Sequence, residues 1–493
     1  MEKEINKLFY GDNLDILRRY VSSESIDLIY LDPPFKSEKA YNIFFEEKNG
    51  GKSKAQIKVF EDTWHWDRTA EETYTEIIEK APKEIKEAII AFRNFLDETD
   101  MMAYLVMMTI RIIELHRVLK PTGSIYLHCD MTASHYLKII MDRIFDIKNF
   151  RNEIVWCYSS PSGAKQDFPR KHDIILRYSK GEKPTFNPDA VRIPYSQSFL
   201  DRRKYIEGEG GIYAGKERDV EMSQEEYKKG KIPEDWWIDI PSGGQVSIKE
   251  RMGYPTQKPE KLLERIIKAS SNEGNVVLDP FCGCGTAVVV AQKLNRKWIG
   301  IDITHLAINL IKNRLKDMFG DGVKYDVIGE PITTKEAEEL AKEDRYQFQW
   351  WALGLVGARP NESEQKKGKD TGVDGVLYFF DEPKNAKKII IQVKSGHVGV
   401  RDIREICNVV DTQRAQIGVF ITLEQPTREM KKEAVKVGYY NSVGWGKKYP
   451  KVQILTIDEL LNGKKIEYPP KTNITFKKAN KVEKIENNQQ LSL

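Results

Sequence analysis

Two short segments hold residues whose chemistry is legible before any fold is assumed. The first, Ile29 to Phe35 (IYLDPPF), is an apolar run that ends in an acid and two prolines. Consecutive prolines can neither continue a strand nor enter a helix interior, so the chain is held extended just past the strand end. Asp32 and the Pro33 carbonyl then offer two hydrogen-bond acceptors, Pro34 keeps the turn stiff, and Phe35 offers a flat apolar face. The exocyclic amine of adenine or cytosine is a weak nucleophile because its lone pair is delocalised into the ring. Acceptors that hold it out of plane and take up its hydrogens are what such an amine needs.

The second segment, Leu278 to Ala287 (LDPFCGCGTA), follows an apolar strand-like run and opens a helix-like one. Gly283 and Gly285 let the backbone turn tightly and approach a ligand. A dinucleotide pyrophosphate wants a third glycine in G-x-G-x-x-G and no acid at the mouth of the turn. Here Asp279 opens the turn, and Asp302 ends the next strand-like run, where a carboxylate can accept from ribose hydroxyls. A cationic, ribose-bearing ligand fits this pair of acids, and S-adenosylmethionine is one. A dinucleotide-dependent oxidoreductase is the reading from another class, and binding of labelled S-adenosylmethionine discriminates between them.

A third constellation lies further along, in KGKDTGVDGVLYFF…KKIIIQVKSG. Asp374 heads one β-rich run, and Gln392 and Lys394 stand two apart in the next, hence on one face of a strand. An acid, an amide oxygen and an ammonium converging across a hairpin can bind a divalent metal such as Mg2+ through Asp374 and Gln392 and position a water with Lys394.

These segments need elements to hold them. Short β-branched runs alternate with amphipathic stretches, which predicts an α/β architecture with a mostly parallel sheet. Strands are expected at Ile26 to Asp32, Ser124 to Asp130, Asn275 to Asp279 and Trp298 to Asp302, and helices at Thr99 to Leu119, Pro259 to Ser270, Ala287 to Leu294 and His305 to Phe319, with a break at Pro121-Thr122-Gly123. Residues 151–251 are irregular, with basic and aromatic residues interleaved, including Arg170, Lys171, Arg177, Lys180, Arg192, Arg202, Arg203 and Lys204 among Trp156, Tyr158, Tyr178, Tyr205, Trp236 and Trp237. That composition suits phosphate contacts and groove reading on double-stranded DNA. The expected units are therefore 1–150, an inserted target-reading region 151–251, a second half 252–325, a smaller α/β unit 335–470, and a disordered tail 471–493.

The 493 residues leave room for about three folded units. With 78 basic and 74 acidic residues, the net charge of +4 excludes a histone-like polycation. There is no long apolar run for a membrane span and no secretion signal, and five thinly spread cysteines suit a reducing compartment, so a cytoplasmic protein is expected. Cys282 and Cys284 have no second Cys or His cluster beside them, which argues against zinc. His128, on a strand, and His116, on a helix, read as structural; Trp64, His65 and Trp66 either cap a displaced base or pack locally.

Residues 1–321 resemble the amino-group DNA methyltransferases that modify adenine N6 or cytosine N4, in the permuted order where the catalytic tetrapeptide precedes the cofactor turn. The resemblance rests on FYGDNLDIL (Phe9 to Leu17), LDPPF, KPTGSIYLHCD (Lys120 to Asp130), NEIVW (Asn152 to Trp156), HDIILRYSK (His172 to Lys180), YPTQKP (Tyr254 to Pro259) and LDPFCGCGT. It implies a Rossmann-like S-adenosylmethionine-dependent sheet with an inserted target-recognition region. It assigns Asp12 to the cofactor's adenine, Asp279, Phe281, Gly283, Gly285 and Thr286 to its methionine side, Asp302 to its ribose, and Thr256, Gln257 and Lys258 to the adjoining wall. The DPPF form favours adenine over cytosine, and a target inside a duplex must be flipped out to be reached. Residues 344–470 resemble the Mrr-type branch of the PD-(D/E)xK restriction endonucleases, which implies Mg2+-dependent cleavage by a smaller restriction-endonuclease-like domain. That family places a Glu on the preceding helix, where this chain has Gln347 or Gln349. A methyltransferase fused to a restriction nuclease acting on DNA, with homodimerisation left open, is the resulting expectation. A dead nuclease used for DNA binding, an N4-cytosine enzyme and an RNA methyltransferase are its alternatives.

Overall fold

The computed structural model describes residues 6–34, 65–158, 165–195, 229–247, 250–252, 254, 256–361, 372–382 and 385–469, with 205–208 and 211–214 as backbone. Phe35, Trp64, Arg202, Arg203, Lys204 and the expected tail 471–493 lie outside the described residues.

The larger unit is built on a nine-stranded sheet. Its strands are β1 (Asn6–Tyr10), β2 (Ile26–Leu31), β3 (Leu119–Cys129), β4 (Phe150–Cys157), β5 (His172–Ser179), β6 (Trp236–Trp237), β7 (Val276–Asp279), β8 (Lys297–Asp302) and β9 (Tyr325–Ile328). They lie in the order β9-β1-β8-β7-β2-β3-β5-β4-β6, parallel from β9 to β3, with β5 antiparallel to both β3 and β4. Strands covered on both faces read as unbroken apolar runs. β2, with Ile26, Leu28, Ile29, Tyr30 and Leu31 all buried, is such a strand. The covering helices are α1 (Asn13–Tyr20), α2 (Arg68–Lys80), α3 (Lys83–Leu96), α4 (Asp100–Val118), α5 (Ser134–Phe145), α6 (Glu260–Ser270), α7 (Thr286–Lys293) and α8 (His305–Phe319). One core packs Ile29, Leu31, Leu105, Leu127 and Ile301, the other Leu8, Leu28, Ile266, Val288 and Ile311.

Two expectations are corrected. Pro121 to Gly123 does not end the helix-to-strand connection but lies within β3, at an irregularity where Ile26 pairs Leu119 and Leu28 pairs Ser124. The boundary at residue 150 falls inside the sheet, because β4 and β5 continue it. Several cations expected to read DNA have partners within the chain. Arg177 is buried against Tyr126 and Phe186, Lys180 is bonded to Leu119 O and Glu24, and Arg192 pairs with Asp189.

The smaller unit opens with α9 (Thr334–Glu343) and α10 (Arg345–Leu355) and has a five-stranded sheet of β10 (Arg359–Pro360), β11 (Gly375–Glu382), β12 (Asn385–Lys394), β13 (Ile417–Thr422) and β14 (Val452–Thr456) in chain order. β11 and β12 form an antiparallel hairpin, and β12, β13 and β14 run parallel, with α11 (Val400–Thr412) crossing between β12 and β13. The two units meet where α10 packs on α8. A Cβ on Gly354 of α10 would sit 2.1 Å from the Asn309 side chain of α8, so this crossing depends on a glycine. Among the described residues no helix is long and apolar enough to cross a membrane.

Candidate active site at the carboxyl ends of the parallel strands

β1, β2, β7 and β8 run parallel and end together, and each hands over to an acid or ends in one: Asp12, Asp32, Asp279 and Asp302. Open α/β sheets bind ligands at this edge. The sheet therefore brings together two motifs that the chain separates by more than two hundred positions.

Asp302 is the hub of the glycine turn. Its Oδ2 accepts from the Gly283 N–H at 2.9 Å, and its Oδ1 accepts from the Thr304 N–H and hydroxyl, both at 2.9 Å. Those bonds take most of the roughly four acceptor positions of a carboxylate. Burial pushes the Asp302 carboxyl up to about 6, against which the Thr304 and Gly283 bonds act. Burial also drives Asp279 well above its ordinary range, and the charges of Asp32 and Asp302 add to that. Asp279 accepts from the Phe281 N–H at 3.1 Å. Gly283 and Gly285 both take left-handed backbone, φ 48° and 74°, and a Cβ on Gly283 would stand 3.2 Å from the Tyr254 ring. The turn is a cradle that a side chain would fill.

Behind the turn sits a residue that sequence reasoning missed. Arg314 of α8, fully buried, donates to the Cys284 carbonyl and the Thr286 hydroxyl, each at 3.2 Å, and pairs with Glu260 at 2.7 Å. Asp12 is tied into the fold as well: Oδ1 caps α1 through the Leu14 N–H at 2.7 Å, and Oδ2 pairs with Arg111 at 2.7 Å. Asn13 beside it ties α1 to the turn through the Pro280 carbonyl at 2.8 Å. Gln257 is spent on its own loop, bonded to Met252 N and Glu250 O, while Thr256 is half-buried beside it.

Lys258 instead reaches across to the other motif, where its ammonium pairs with Oδ2 of Asp32. Pro33 and Pro34 follow, the first buried and the second half-buried at the strand end. His128, expected to be bland, stands in the same place. Its Nδ1 lies 4.0 Å from Asp32 Oδ1 and 3.0 Å from the Tyr30 hydroxyl, and its Nε2 lies 3.2 Å from Asp173 Oδ2. Burial and neighbouring carboxylates hold the Tyr30 phenol well above its ordinary range, so it stays a donor to Nδ1. The ring is thus bracketed by the Tyr30 hydroxyl at Nδ1 and the Asp173 carboxylate at Nε2. Burial favours a neutral Asp173, but the bonds from His128 and Tyr158 and the nearby charge of Lys258 hold that carboxyl below its ordinary range. No local pattern marks His128; only the pairing of β3 with β2 and β5 brings it there.

In the smaller unit, Asp374 and Gln392 are brought together by the β11–β12 hairpin. Asp374 Oδ2 accepts from the Val393 N–H at 2.6 Å, and the Gln392 amide is buried, its oxygen without a hydrogen-bond partner among the described residues. Lys394 is half-buried at the end of the same strand. Gln347, one of two positions where an acid was sought, faces the other way: its Oε1 accepts from the His305 N–H at 2.9 Å.

The DNA methylase family of N6 and N4 type matches residues 26–313, and the family described as NACHT-associated inactive restriction endonuclease 1 matches residues 347–462. The second description does not support the Mg2+-dependent cleavage expected from Asp374, Gln392 and Lys394. Among curated proteins, the type II methyltransferase M.HpaI of Haemophilus parainfluenzae is 36% identical over 207 residues, 42% of this chain and 57% of that protein. The DNA adenine methyltransferase YhdJ of Escherichia coli K12 is 30% identical over 318 residues, 63% of this chain and 83% of that protein. The chain thus spans little more than half of M.HpaI but most of YhdJ. Among solved structures, a DNA modification methylase of Thermus thermophilus, complexed with S-adenosyl-L-methionine, aligns with 16% identity and a TM-score of 0.37 over 66% of this chain and 99% of that one. The PvuII cytosine-N4-specific DNA methyltransferase aligns with 17% identity and a TM-score of 0.37 over 62% and 85%. The match over residues 26–313, more than half of the chain, together with the relative covered for 83% of its length, places the protein in the N6/N4 DNA methylase family.

Proposed function

We propose that the protein transfers a methyl group from S-adenosylmethionine to the exocyclic amine of a base flipped out of double-stranded DNA, adenine N6 in preference to cytosine N4, and that its C-terminal unit does not cut DNA. The observation that carries this reading is the meeting of Asp32, Lys258, Asp279 and Asp302 at one sheet edge. Three carboxylates around a glycine cradle repel one another and invite a cation. Asp279, Asp302 and the turn at Gly283 and Gly285 would hold the cofactor, which when bound supplies a methyl group on a positively charged sulfur. Asp32 and the Pro33 carbonyl then accept from the amine and turn its lone pair out of the ring plane, and Lys258 holds Asp32 in place. Such chemistry rests on alignment and charge complementarity. The tetrapeptide Asp32 to Phe35 and the similarity to an adenine methyltransferase favour adenine.

For the C-terminal unit, the inactive family description and the engagement of Gln347 with His305 favour a fold kept for something other than cleavage. Single-molecule sequencing of DNA from a methylation-free host that expresses the protein, against its Asp32→Ala variant, tests the first part. The expected result is methyladenine in one sequence context that vanishes in the variant; methylcytosine in its place would overturn the base assignment, and no modified base would overturn the reaction. Incubation of unmethylated plasmid with the protein and Mg2+ tests the second, where cutting that depends on Lys394 would overturn it.

A further inference from the structure

The smaller unit touches two of the loops that frame the proposed cofactor site and reaches a third through His305. Gln347 of α10 accepts from the His305 N–H, and His305 follows directly on Thr304, which binds Asp302. His305 also stacks face to face on Tyr10, ring centroids 3.6 Å apart, and Tyr10 leads into Gly11, whose N–H donates to the Asp302 carbonyl at 3.0 Å. Arg359 of β10 donates to the Met252 carbonyl at 3.3 Å, and the Gln257 amide binds the Met252 N–H in the loop that delivers Lys258. Asn309, one turn on from His305, donates to the Trp350 carbonyl at 2.8 Å.

This junction is polar and buried. His305 and Gln347 are both buried, and burial holds the His305 ring neutral. Neither ring nitrogen of His305, nor the Gln347 amide nitrogen, has a hydrogen bond among the described residues, although Glu330 stands 3.7 Å from Nδ1. A Glu in place of Gln347 would set a buried charge against Glu330, Glu343 and Asp344, which lie on the same side. Glutamine keeps the acceptor without the charge.

On the reading of this site as the cofactor pocket, we infer that the nuclease-like unit is a brace for S-adenosylmethionine binding, and that Gln347 is a positioning residue that fixes the His305–Thr304 corner and so aims Asp302.

The test uses the full chain. Cofactor affinity is read by titration with S-adenosylmethionine, and kcat and both KM values are read on methylatable DNA, for wild type, Gln347→Met and Arg359→Ala. The expected result is a Kd and KM for S-adenosylmethionine raised about tenfold in Gln347→Met, the roughly 1.4 kcal/mol that one ordinary hydrogen bond contributes, with kcat at saturating cofactor and KM for DNA unchanged. Arg359→Ala is a second probe that leaves the buried junction intact, and a smaller rise of the same kind is expected from it even if Gln347→Met fails to fold. Wild-type cofactor affinity in both variants overturns the brace, as does a loss confined to kcat or to DNA binding. A wild-type protein that binds no S-adenosylmethionine overturns the methyltransferase reading instead, before any variant is compared.

Discussion

The His305 N–H and the Gln347 side-chain oxygen lie 2.9 Å apart across the junction of the two units, each buried and each on the first turn of its helix. Through this bond the Gln347 side chain engages the larger unit, at one of the two positions where the resemblance to Mrr-type endonucleases would seek an acid. Gln347→Glu is accordingly expected to leave plasmid DNA uncut in Mg2+, with nicking of supercoiled plasmid as the assay. Cleavage by that variant would show that one substitution had silenced the nuclease and that the side chain can turn inward.

The acids at the sheet edge make cofactor binding depend on pH. Asp302, raised to about 6, must be ionised to attract a cation and accept from a ribose hydroxyl, so affinity should rise as pH increases through about 6 and level off above it. The free protein should behave in the opposite sense. A buried acid whose folded value is raised contributes its stability at pH below its unfolded value near 4, and that contribution is lost as pH climbs through about 6. Titration calorimetry across roughly pH 5 to 8, with thermal unfolding of the free protein over the same range, checks both slopes.

Lys258 is expected to matter for catalysis more than for the fold. In Lys258→Met, Asp32 loses the ammonium that orients it, and a fall in kcat of about 10²-fold is expected, as for removal of one well-placed charged donor. Circular dichroism should be unchanged, and a variant with wild-type kcat would remove Lys258 from the site.

His128→Gln probes the pair with Asp173. Because Nδ1 lies only 4.0 Å from Asp32, its loss should lower kcat by about 10²-fold, the lower end for a positioned proton-accepting group, with S-adenosylmethionine affinity little changed. Single-turnover methylation at saturating cofactor measures it, and an equal loss of cofactor affinity would show that the residue is structural after all.

Arg314 is a stability prediction. Arg314→Met leaves the Glu260 carboxylate without its partner and the Cys284 carbonyl and Thr286 hydroxyl without a donor, and a loss of about 3 kcal/mol is expected. Urea denaturation of the full chain gives the value, and a loss under about 1 kcal/mol would mean that the buried pair is replaceable by packing.

Much of the site was legible because its chemistry is local. The acid and prolines at residues 32 to 34 and the glycines at 283 and 285 constrain their own backbone, so their meaning survives without neighbours. Continuous apolar runs such as Ile26 to Leu31 likewise report that a strand is covered on both faces, which is why the parallel sheet could be expected. Cations failed as a guide for the converse reason. Arg177 and Lys180 have the same side chain whether they face DNA or pack on Tyr126 and bond the Leu119 carbonyl.

The amino-acid order by itself determined the glycine turn, the extended tetrapeptide, the alternation of strands and helices, and with them the methylase character of the larger unit. Only the tertiary structure decided that Lys258 meets Asp32, that His128 stands beside them with Asp173, that Asp12 serves Arg111, and that Gln347 docks one unit on the other. Each of these joins residues between about 40 and 230 positions apart, and the pairing of strands and the crossing of helices that bring them together depend on the whole core rather than on any segment.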